Sequence, residues 1–539
     1  ALLCLLAHHV ITHPDKVGLE LFASPSASPR HRMMASMRTT APAATTTRAS
    51  RLATQKEALS GQPILCVAAG AGLQRPVLRA IPVTRAAATP KVDQKAFEAE
   101  ARQNLKSIRN GYASSYAEQP AEEALAVEGT LPEWLDGTII RNGPGRYNVG
   151  DRDMPHMFGG YGLLTKVHFD GVGNAATLRT RFVQSKAYRE LLKRGKQLYM
   201  EFGAPFVVAE KPTFKTRAQN LLGNMVSLGA TDNANVNVVA VGGKVLAVSE
   251  TGLSTYEVDP TTLETRGQWK WEAEKSGPGV GLLQTAHPQL DERGDLYNVR
   301  TDPVPGKGQG FQVVVTPKSN PKAVNVVATV KSALPTPGWV HSFAMSQRYV
   351  IILEAPAYYN LGSFVGVGDA EYQVFDWDAS RGTAIHVVDK QTGSVSTKQA
   401  PTFFHFHLAN AWEEVSEANG AVVGINIDVA MYDDLQIVNH LGFDILAADP
   451  VSPKYSQLPY ARHARIKVPL GRASCSIESV TDDTVTGNYV DFGVINPQNL
   501  FSRSRYIYAL SCAGPSSVGN SLSKTDTEGS GGRSWSEPG

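Results

Sequence analysis

Residues 401–414, PTFFHFHLANAWEE, set two histidines inside an apolar and aromatic run that is typical of a buried strand. Side chains alternate along a strand, so His405 and His407 are expected on one face, with Phe404 and Phe406 on the other. A single buried histidine most often hydrogen-bonds to a backbone or carboxylate group. A metal site therefore needs companion histidines elsewhere in the chain.

Two further histidines stand in similar surroundings: His287 in TAHPQLDERGDLYNV and His341 in PGWVHSFAMSQRYVIILEAP. The separations of 54 and 66 residues are unlike the close ligand spacing of a zinc finger or an HExxH helix. Neutral imidazole suits iron, copper, nickel or zinc, and an all-nitrogen ligand set leaves a divalent ion its full charge. The pattern predicts a metal centre with one ligand from each of several large structural units, and it favours redox-active iron over structural zinc.

Two acidic residues are placed where they could support such ligands. Glu250 ends the strand-like VLAVSE, and Asp491 lies in YVDFGVIN. A carboxylate inside an apolar run is costly unless it is paired, and a metal-bound histidine needs an acceptor for its second ring nitrogen. We expect these two carboxylates to provide that acceptor, although composition alone equally allows a strand-end or surface acid.

Several segments together resemble the carotenoid cleavage oxygenases. The resemblance begins in residues 131–162, LPEWLDGTIIRNGPGRYNVGDRDMPHMFGGYG, and continues to the C-terminal end. Within the family, TDNANVNVV, SETGLSTYEVDPTTLETRG, GWVHSFAMSQRYVI and NSLSKTDTEG are most similar to the carlactone-synthase type. The resemblance implies an all-β, seven-bladed β-propeller with Fe2+ on its axis, four histidine ligands, and a few helices that cap the substrate side.

The resemblance also assigns roles to five residues. It implies that His287, His341 and His407 bind the iron and are catalytic, and that Glu250 and Asp491 are the carboxylates that hydrogen-bond to ligand histidines.

The choice of His407 over His405 rests on the family motif, in which the ligand directly precedes Leu-x-Asn-Ala; His405 is expected in a supporting or core role. No histidine follows His463 in the sequence, so the fourth ligand of the family has no counterpart. We expect a propeller that lacks its last blade, with unpaired sheet edges and a weaker, more open iron site.

Composition excludes some classes of function. The chain has 539 residues, 42% of them hydrophobic, and a net charge of +2 without a long basic run, so nothing indicates nucleic-acid binding. The cysteines form no CxxC pair, which is typical of a reducing compartment. They are Cys4, Cys66, Cys475 and Cys512.

The chain divides into three parts. Residues 1–90 are expected to be a disordered leader, rich in Ala, Thr and Arg, that acts as a chloroplast or other plastid transit peptide; an ordinary disordered tail is the alternative. Residues 91–522 are expected to form the propeller, and the Gly- and Ser-rich residues 523–539 a tail at a truncation. One short helix is predicted over residues 94–109.

Local patterns in the body predict strands and turns. VNVVAV-GG-KVLAVSE predicts a hairpin that turns at Gly242 and Gly243. RNGPG, residues 141–145, lacks the Lys-Ser/Thr of a phosphate loop and is interpreted as a turn. Residues 205–229 mix apolar residues with basic ones, which is consistent with peripheral membrane contact and equally with a packed insertion.

The function implied is that of an Fe2+-dependent dioxygenase. Such an enzyme uses dioxygen to cleave a conjugated double bond of a carotenoid or apocarotenoid to carbonyl products, and the carlactone-synthase type acts in strigolactone biosynthesis. Two alternatives stay open. One is an inactive or impaired propeller that binds apocarotenoid or a protein partner, favoured by the absent fourth histidine; the other is a family member with isomerase chemistry.

Overall fold

The structure, a computed structural model, describes residues 10–12, 114–150, 152–197, 199, 201–202, 231–272, 283–302, 309–364, 370–446, 459–480, 490–511, 519, 521–529 and 532–536. These residues form an all-β propeller of six antiparallel sheets, or blades, of four or five strands each. The predicted all-β class and propeller are confirmed. The seven blades of the family pattern are not present in the described part, where the successive sheets up to Ser536 make six.

Blade 1 and a small ribbon beside it come first. Their strands are β1 (Val10–Thr12), β2 (Gln119–Leu125), β3 (Asp136–Arg146), β4 (Asn148–Val149), β5 (Arg152–Asp153), β6 (Tyr161–Asp170) and β7 (Ala175–Phe182). The blade has the spatial order β1-β3-β6-β7-β2, while β4 pairs with β5. Of the expected leader, β1 is the only part among the described residues.

Blades 2 and 3 run outward from the axis as antiparallel meanders. Their strands are β8 (Asn237–Val241), β9 (Lys244–Val248), β10 (Thr255–Val258) and β11 (Thr265–Gln268), then β12 (Leu283–Gln284), β13 (Gln289–Leu290), β14 (Leu296–Asp302), β15 (Gly310–Thr316) and β16 (Asn325–Lys331). In blade 3, β12 and β13 both pair with β14, so the chain between them lies on the inner edge of the sheet.

Blades 4 to 6 complete the described propeller. Their strands, with the ribbon β19–β20, are β17 (Ala344–Met345), β18 (Tyr349–Glu354), β19 (Ala357–Tyr359), β20 (Phe375–Trp377), β21 (Thr383–Asp389), β22 (Val395–Ala400), β23 (Phe404–Val415), β24 (Val422–Tyr432), β25 (Arg462–Pro469), β26 (Ser476–Ser479), β27 (Val490–Val494), β28 (Tyr506–Ser511), β29 (Ser521–Asp526) and β30 (Gly532–Ser536). The sixth sheet, β27 to β30, therefore extends into residues 523–539, where a tail was expected.

The helices among the described residues are short. They are α1 (Lys186–Arg194), α2 (Leu361–Phe364), α3 (Gln436–His440) and α4 (Phe443–Leu446). Ser185 caps α1 by accepting a hydrogen bond from the Tyr188 N–H, and Gly195 ends it at a φ of +62°. Among the described residues, no helix has the length and apolar character needed to cross a membrane. The helix predicted over residues 94–109 and the patch at 205–229 lie outside the described residues.

The two turn predictions have different outcomes. Gly242 and Gly243 join β8 to β9 with φ of +54° and +75°, as predicted. The turn predicted at residues 141–145 is wrong, because these residues belong to β3. Pro144 pairs with Gly162 where the register shifts, and such a bulge tolerates a residue that lacks an N–H donor.

Polar side chains near the axis join each of blades 1 to 5 to the next blade. Each donates a hydrogen bond to a backbone carbonyl of the following blade, which satisfies a group that the sheets themselves leave unpaired. In order around the propeller these bonds are Asn142 to Ala234 (2.9 Å), Asn237 to Ala286 (2.9 Å), Gln289 to Phe343, Ser342 to Phe406, and Asn410 to Ser502 (2.6 Å).

Replacing Asn237 by alanine is expected to lower the free energy of unfolding by about 1–3 kcal/mol, because it leaves the buried carbonyl of Ala286 without this donor. It also removes the acceptor for the Val238 N–H (2.8 Å). Urea unfolding of the full chain measures the effect. Asn325→Ala, at an exposed site on β16, is the control and should change stability by less than about 0.5 kcal/mol. Equal losses in both variants would contradict this role of Asn237.

Candidate metal centre

Three buried histidines meet at the axis, one from each of blades 3, 4 and 5. His287 lies between β12 and β13, His341 lies just before β17, and His407 lies on β23. Each is at most 7% exposed. The Nε2 atoms of His287 and His341 are 2.9 Å apart, and those of His341 and His407 are 3.3 Å apart. The propeller thus brings together side chains that are more than fifty residues apart in sequence.

The expectation that His405 and His407 share a face is wrong. His405 pairs with Met431 and Leu408 pairs with Val429, so β23 has one more residue than its partner between these pairs. This bulge breaks the alternation, and a bulge commonly redirects a side chain in this way. His407 points to the centre, whereas His405 is not part of the histidine cluster. Burial lowers the pKa of His405 to about 3.

Other buried histidines in the described part lie away from the cluster. His156 contacts the backbone carbonyl of Val438 through Nε2 (2.7 Å), and His386 Nε2 lies 2.9 Å from the Glu354 carboxylate. Burial lowers the pKa of His463 to about 4. Burial of a histidine is therefore common in this protein, and it is the convergence of three that is distinctive.

Glu250 lies directly behind His341. Its Oε1 accepts a hydrogen bond from His341 Nδ1 (2.5 Å), and its Oε2 accepts one from Trp339 Nε1 (2.9 Å). With Nδ1 as the donor, Nε2 of His341 carries the lone pair that faces the other two histidines. The carboxylate thus fixes both the tautomer and the direction of the ring.

Asp491 has the same relation to His407. Its Oδ1 accepts hydrogen bonds from His407 Nδ1 (2.9 Å) and the Phe492 N–H (2.8 Å), and its Oδ2 accepts one from the Tyr432 hydroxyl (3.0 Å). Burial opposes ionisation of Asp491, but the interactions with His407 and the other donors outweigh it and lower the pKa of this carboxyl. Burial lowers the pKa of His407, and Asp491 opposes that shift.

The donor set fits a metal ion. Two nitrogens at about 2.1 Å from one ion are about 3.0 Å apart at a right angle and about 3.4 Å apart at a tetrahedral angle. The two Nε2 separations, 2.9 and 3.3 Å, match this range. Because the Nδ1 atoms of His341 and His407 donate to carboxylates, their Nε2 lone pairs face each other, an arrangement that a cation between them stabilises.

An apolar surface borders the histidines on one side. We call it the aromatic wall; it consists of Trp339, Phe375, Phe404, Phe406 and Tyr432. The ring centroid of Phe406 is 5.2 Å from that of His341, and Trp339 is 5.9 Å from the same ring. Ile437 and Val438 of α3 pack into the same cluster, so this helix covers the wall.

A cavity of about 310 Å³ reaches the histidines between the inner strands. His287 and His407 line it, together with apolar residues such as Leu408 and Val494. The polar side chain of Asn410 also lines it. A space of this size accommodates several water molecules or a small ligand beside the two imidazoles.

Sequence reasoning missed three buried polar groups, two of them beside the centre. Trp339 and Tyr432 complete the hydrogen bonding of the two carboxylates. A signal existed for Trp339, which stands two residues before His341, whereas nothing in the sequence pointed to Tyr432. The third is Glu201, which accepts a hydrogen bond from the Thr231 hydroxyl (2.7 Å); burial raises its pKa to about 8.

Comparison with known proteins identifies the family of the chain. The profile of the family described as retinal pigment epithelial membrane protein matches residues 112–538. The chain belongs to the carotenoid oxygenase family. It is 32% identical over 474 residues to carotenoid cleavage dioxygenase 8, chloroplastic, of Arabidopsis thaliana, a match that covers 86% of this chain and 79% of the relative.

A second carotenoid oxygenase of this type, carotenoid cleavage dioxygenase 8 homolog A, chloroplastic, of Oryza sativa subsp. japonica, is 33% identical over 433 residues, 79% of this chain and 75% of the relative. Among solved structures, cobalt-substituted Synechocystis apocarotenoid oxygenase matches with a TM-score of 0.62 and 22% identity, over 81% of this chain and 84% of that one. This structural likeness supports the carotenoid oxygenase fold.

Proposed function

We propose that this chain is a non-haem Fe2+ dioxygenase that cleaves a conjugated double bond of a carotenoid or apocarotenoid to two carbonyl products. The observation that carries the proposal is the convergence of three buried Nε2 atoms, two of whose rings are held by carboxylates. Neutral nitrogen ligands leave the ion its charge and suit redox-active iron. The similarity to carotenoid cleavage dioxygenase 8 supports the same class of reaction.

The side chains of the centre have two different roles. His287, His341 and His407 hold the ion, and Glu250 and Asp491 keep the Nε2 lone pairs directed at it. Bound Fe2+ supplies the activation of dioxygen. The reaction adds one oxygen atom to each carbon of the cleaved double bond and releases no proton, so no side chain is needed as a general acid or base.

The aromatic wall binds the substrate. A polyene is flat and apolar, and we expect it to contact the wall where Trp339 and Phe406 lie beside His341. Both rings are only 3% exposed, so the wall must open to admit the substrate. The wall excludes water from this side of the centre and orients one double bond toward the ion. The cavity beside His287 and His407 provides room for dioxygen.

The relatives support a narrower proposal for substrate and compartment. The carlactone-synthase type implies a shortened apocarotenal as substrate, with cleavage coupled to rearrangement. The matched plant relatives are both chloroplastic, which supports a plastid location with residues 1–90 as the transit peptide. A fluorescent protein fused behind residues 1–90 should accumulate in plastids, and a diffuse cytosolic signal would contradict the location.

Product analysis tests the function. The full chain, loaded with excess Fe2+ without oxygen, is mixed with an apocarotenal in 18O2-saturated buffer, and the products are resolved by mass spectrometry. We expect two shorter carbonyl compounds that carry the label and that are not formed without iron. Tight binding of the apocarotenal without cleavage would support the alternative of a binding propeller, and a geometric isomer as sole product would support isomerase chemistry.

A further inference from the structure

We propose that Trp339 and Tyr432 are positioning residues that connect the aromatic wall to the metal ligands through the two carboxylates. The inference rests on the proposed metal site. Trp339 donates a hydrogen bond to the Glu250 oxygen that does not contact the histidine. Tyr432 donates one to the corresponding oxygen of Asp491. His341 and His407 thus each belong to a hydrogen-bonded chain of three groups: imidazole, carboxylate and an aromatic donor from the wall.

The first chain is His341, Glu250 and Trp339. Glu250 Oε1 is bonded to His341 Nδ1, and the Trp339 Nε1–H donates to Oε2 over 2.9 Å. Trp339 is 3% exposed and stacks on Phe375, with ring centroids 4.5 Å apart and an angle of 9° between the planes. The stacked indole has little freedom to rotate, so its N–H holds the carboxylate in one orientation.

The second chain is His407, Asp491 and Tyr432. Asp491 is 1% exposed, and its two oxygens are used by the imidazole and by the Tyr432 hydroxyl over 3.0 Å. Tyr432 is also 1% exposed, and its ring lies 5.9 Å from that of Phe406. A buried carboxylate that loses such a donor loses both stability and direction.

The two hydrogen-bonded chains both link the aromatic wall to the metal ligands. Trp339 and Tyr432 both belong to the aromatic wall, on which the substrate is proposed to stack. A displacement of either ring changes the orientation of a carboxylate, and with it the direction of a ligand nitrogen. The wall and the ligand set therefore act as one hydrogen-bonded unit, so the packing of the wall affects the affinity for the ion.

Titration of the full chain with Co2+, followed by the visible absorption of the bound ion, tests the inference. Tyr432→Phe keeps the ring and removes the donor, whereas Trp339→Phe removes the donor and replaces the indole by a smaller aromatic ring. We expect each variant to raise the Kd for Co2+ about threefold to tenfold, somewhat less than the 10- to 100-fold usual for loss of a direct partner of a ligand, and to shift the absorption bands. Combining Trp339→Phe with Glu250→Ala should add little to the effect of Glu250→Ala alone.

Two control variants make the same chemical changes away from the centre. Tyr256→Phe removes a buried hydroxyl that donates to the Asp232 carboxylate (2.7 Å), and Trp269→Phe shrinks a buried indole that packs edge-on against Trp271. Both are expected to lose stability and to keep the Kd and the spectrum of bound Co2+. These controls separate a general loss of packing from a specific effect on the ion.

The outcomes distinguish the inference from the proposed function. Unchanged Kd and spectrum in Trp339→Phe and Tyr432→Phe, with Co2+ bound by the wild type, would overturn the inference alone. Absence of Co2+ binding by the wild type would overturn both. Equal changes in the control variants would show that packing, not hydrogen bonding to the carboxylates, sets the affinity, and would also overturn the inference.

Discussion

Replacing His341 by alanine is expected to reduce metal binding and double-bond cleavage by more than about a hundredfold. Its Nε2 atom is 2.9 Å from that of His287 and 3.3 Å from that of His407, so it is the nitrogen shared by both close pairs. Loss of a ligand exceeds the 10- to 100-fold cost that is usual for a residue behind a ligand. Equilibrium dialysis against Fe2+ and product formation measure the two effects.

The matched control is His386→Ala. His386 is also buried and contacts a carboxylate, that of Glu354 (2.9 Å), but it lies outside the cluster. This variant should lose stability, because the replacement leaves Glu354 with fewer partners, while each folded chain keeps its affinity for Fe2+. Equal loss of iron in both variants would show that His341 acts through the fold and not as a ligand.

The second large effect is expected for Asp491→Asn. Asparagine keeps the shape, but it removes the negative charge that supports the donation from His407 Nδ1. We expect the Kd for Fe2+ to rise about 10- to 100-fold, with a parallel loss of cleavage at limiting iron that excess iron partly restores. Metal titration at constant pH measures the shift.

Asp428→Asn is the control for this substitution. Asp428 is a buried carboxylate on β24 that binds Arg465 through two nitrogens, at 2.7 and 3.1 Å. Its replacement leaves the partly buried guanidinium of Arg465 poorly paired and should lower stability, without an effect on the Kd for Fe2+. A Kd that changes as much in Asp428→Asn as in Asp491→Asn would argue against a specific role of Asp491.

More of the site than of the surrounding architecture could be predicted from the sequence. Their positions in apolar runs marked His287, His341 and His407 as candidates, because buried polar groups are costly, and the same reasoning selected Glu250 and Asp491. The choice of these three histidines over other buried ones came from the resemblance to the family. The structure brings the histidines together and places each acid behind one of them. The number of blades was not predictable in this way, because each blade repeats the same short-strand pattern. It came from the resemblance, which implied seven blades with the last one absent, and the described residues form six.

The errors have local causes. The alternation that placed His405 beside His407 fails at one bulge, and Pro144 continues a strand because it also lies at a bulge. A bulge adds one residue and leaves no reliable trace in hydrophobic periodicity. Tyr432 was missed because its partner Asp491 is far along the chain, on another blade, and only the packing of blade 5 against blade 6 brings the two together.

The most direct test of the central claim is X-ray absorption at the iron edge of the full chain loaded with Fe2+. The three-histidine centre predicts nitrogen or oxygen neighbours at about 2.1 Å and the outer-shell scattering of three imidazole rings, and His341→Ala should lose that signature. A bound iron without imidazole scattering, or a spectrum unchanged in His341→Ala, would contradict the assignment of the metal to these histidines.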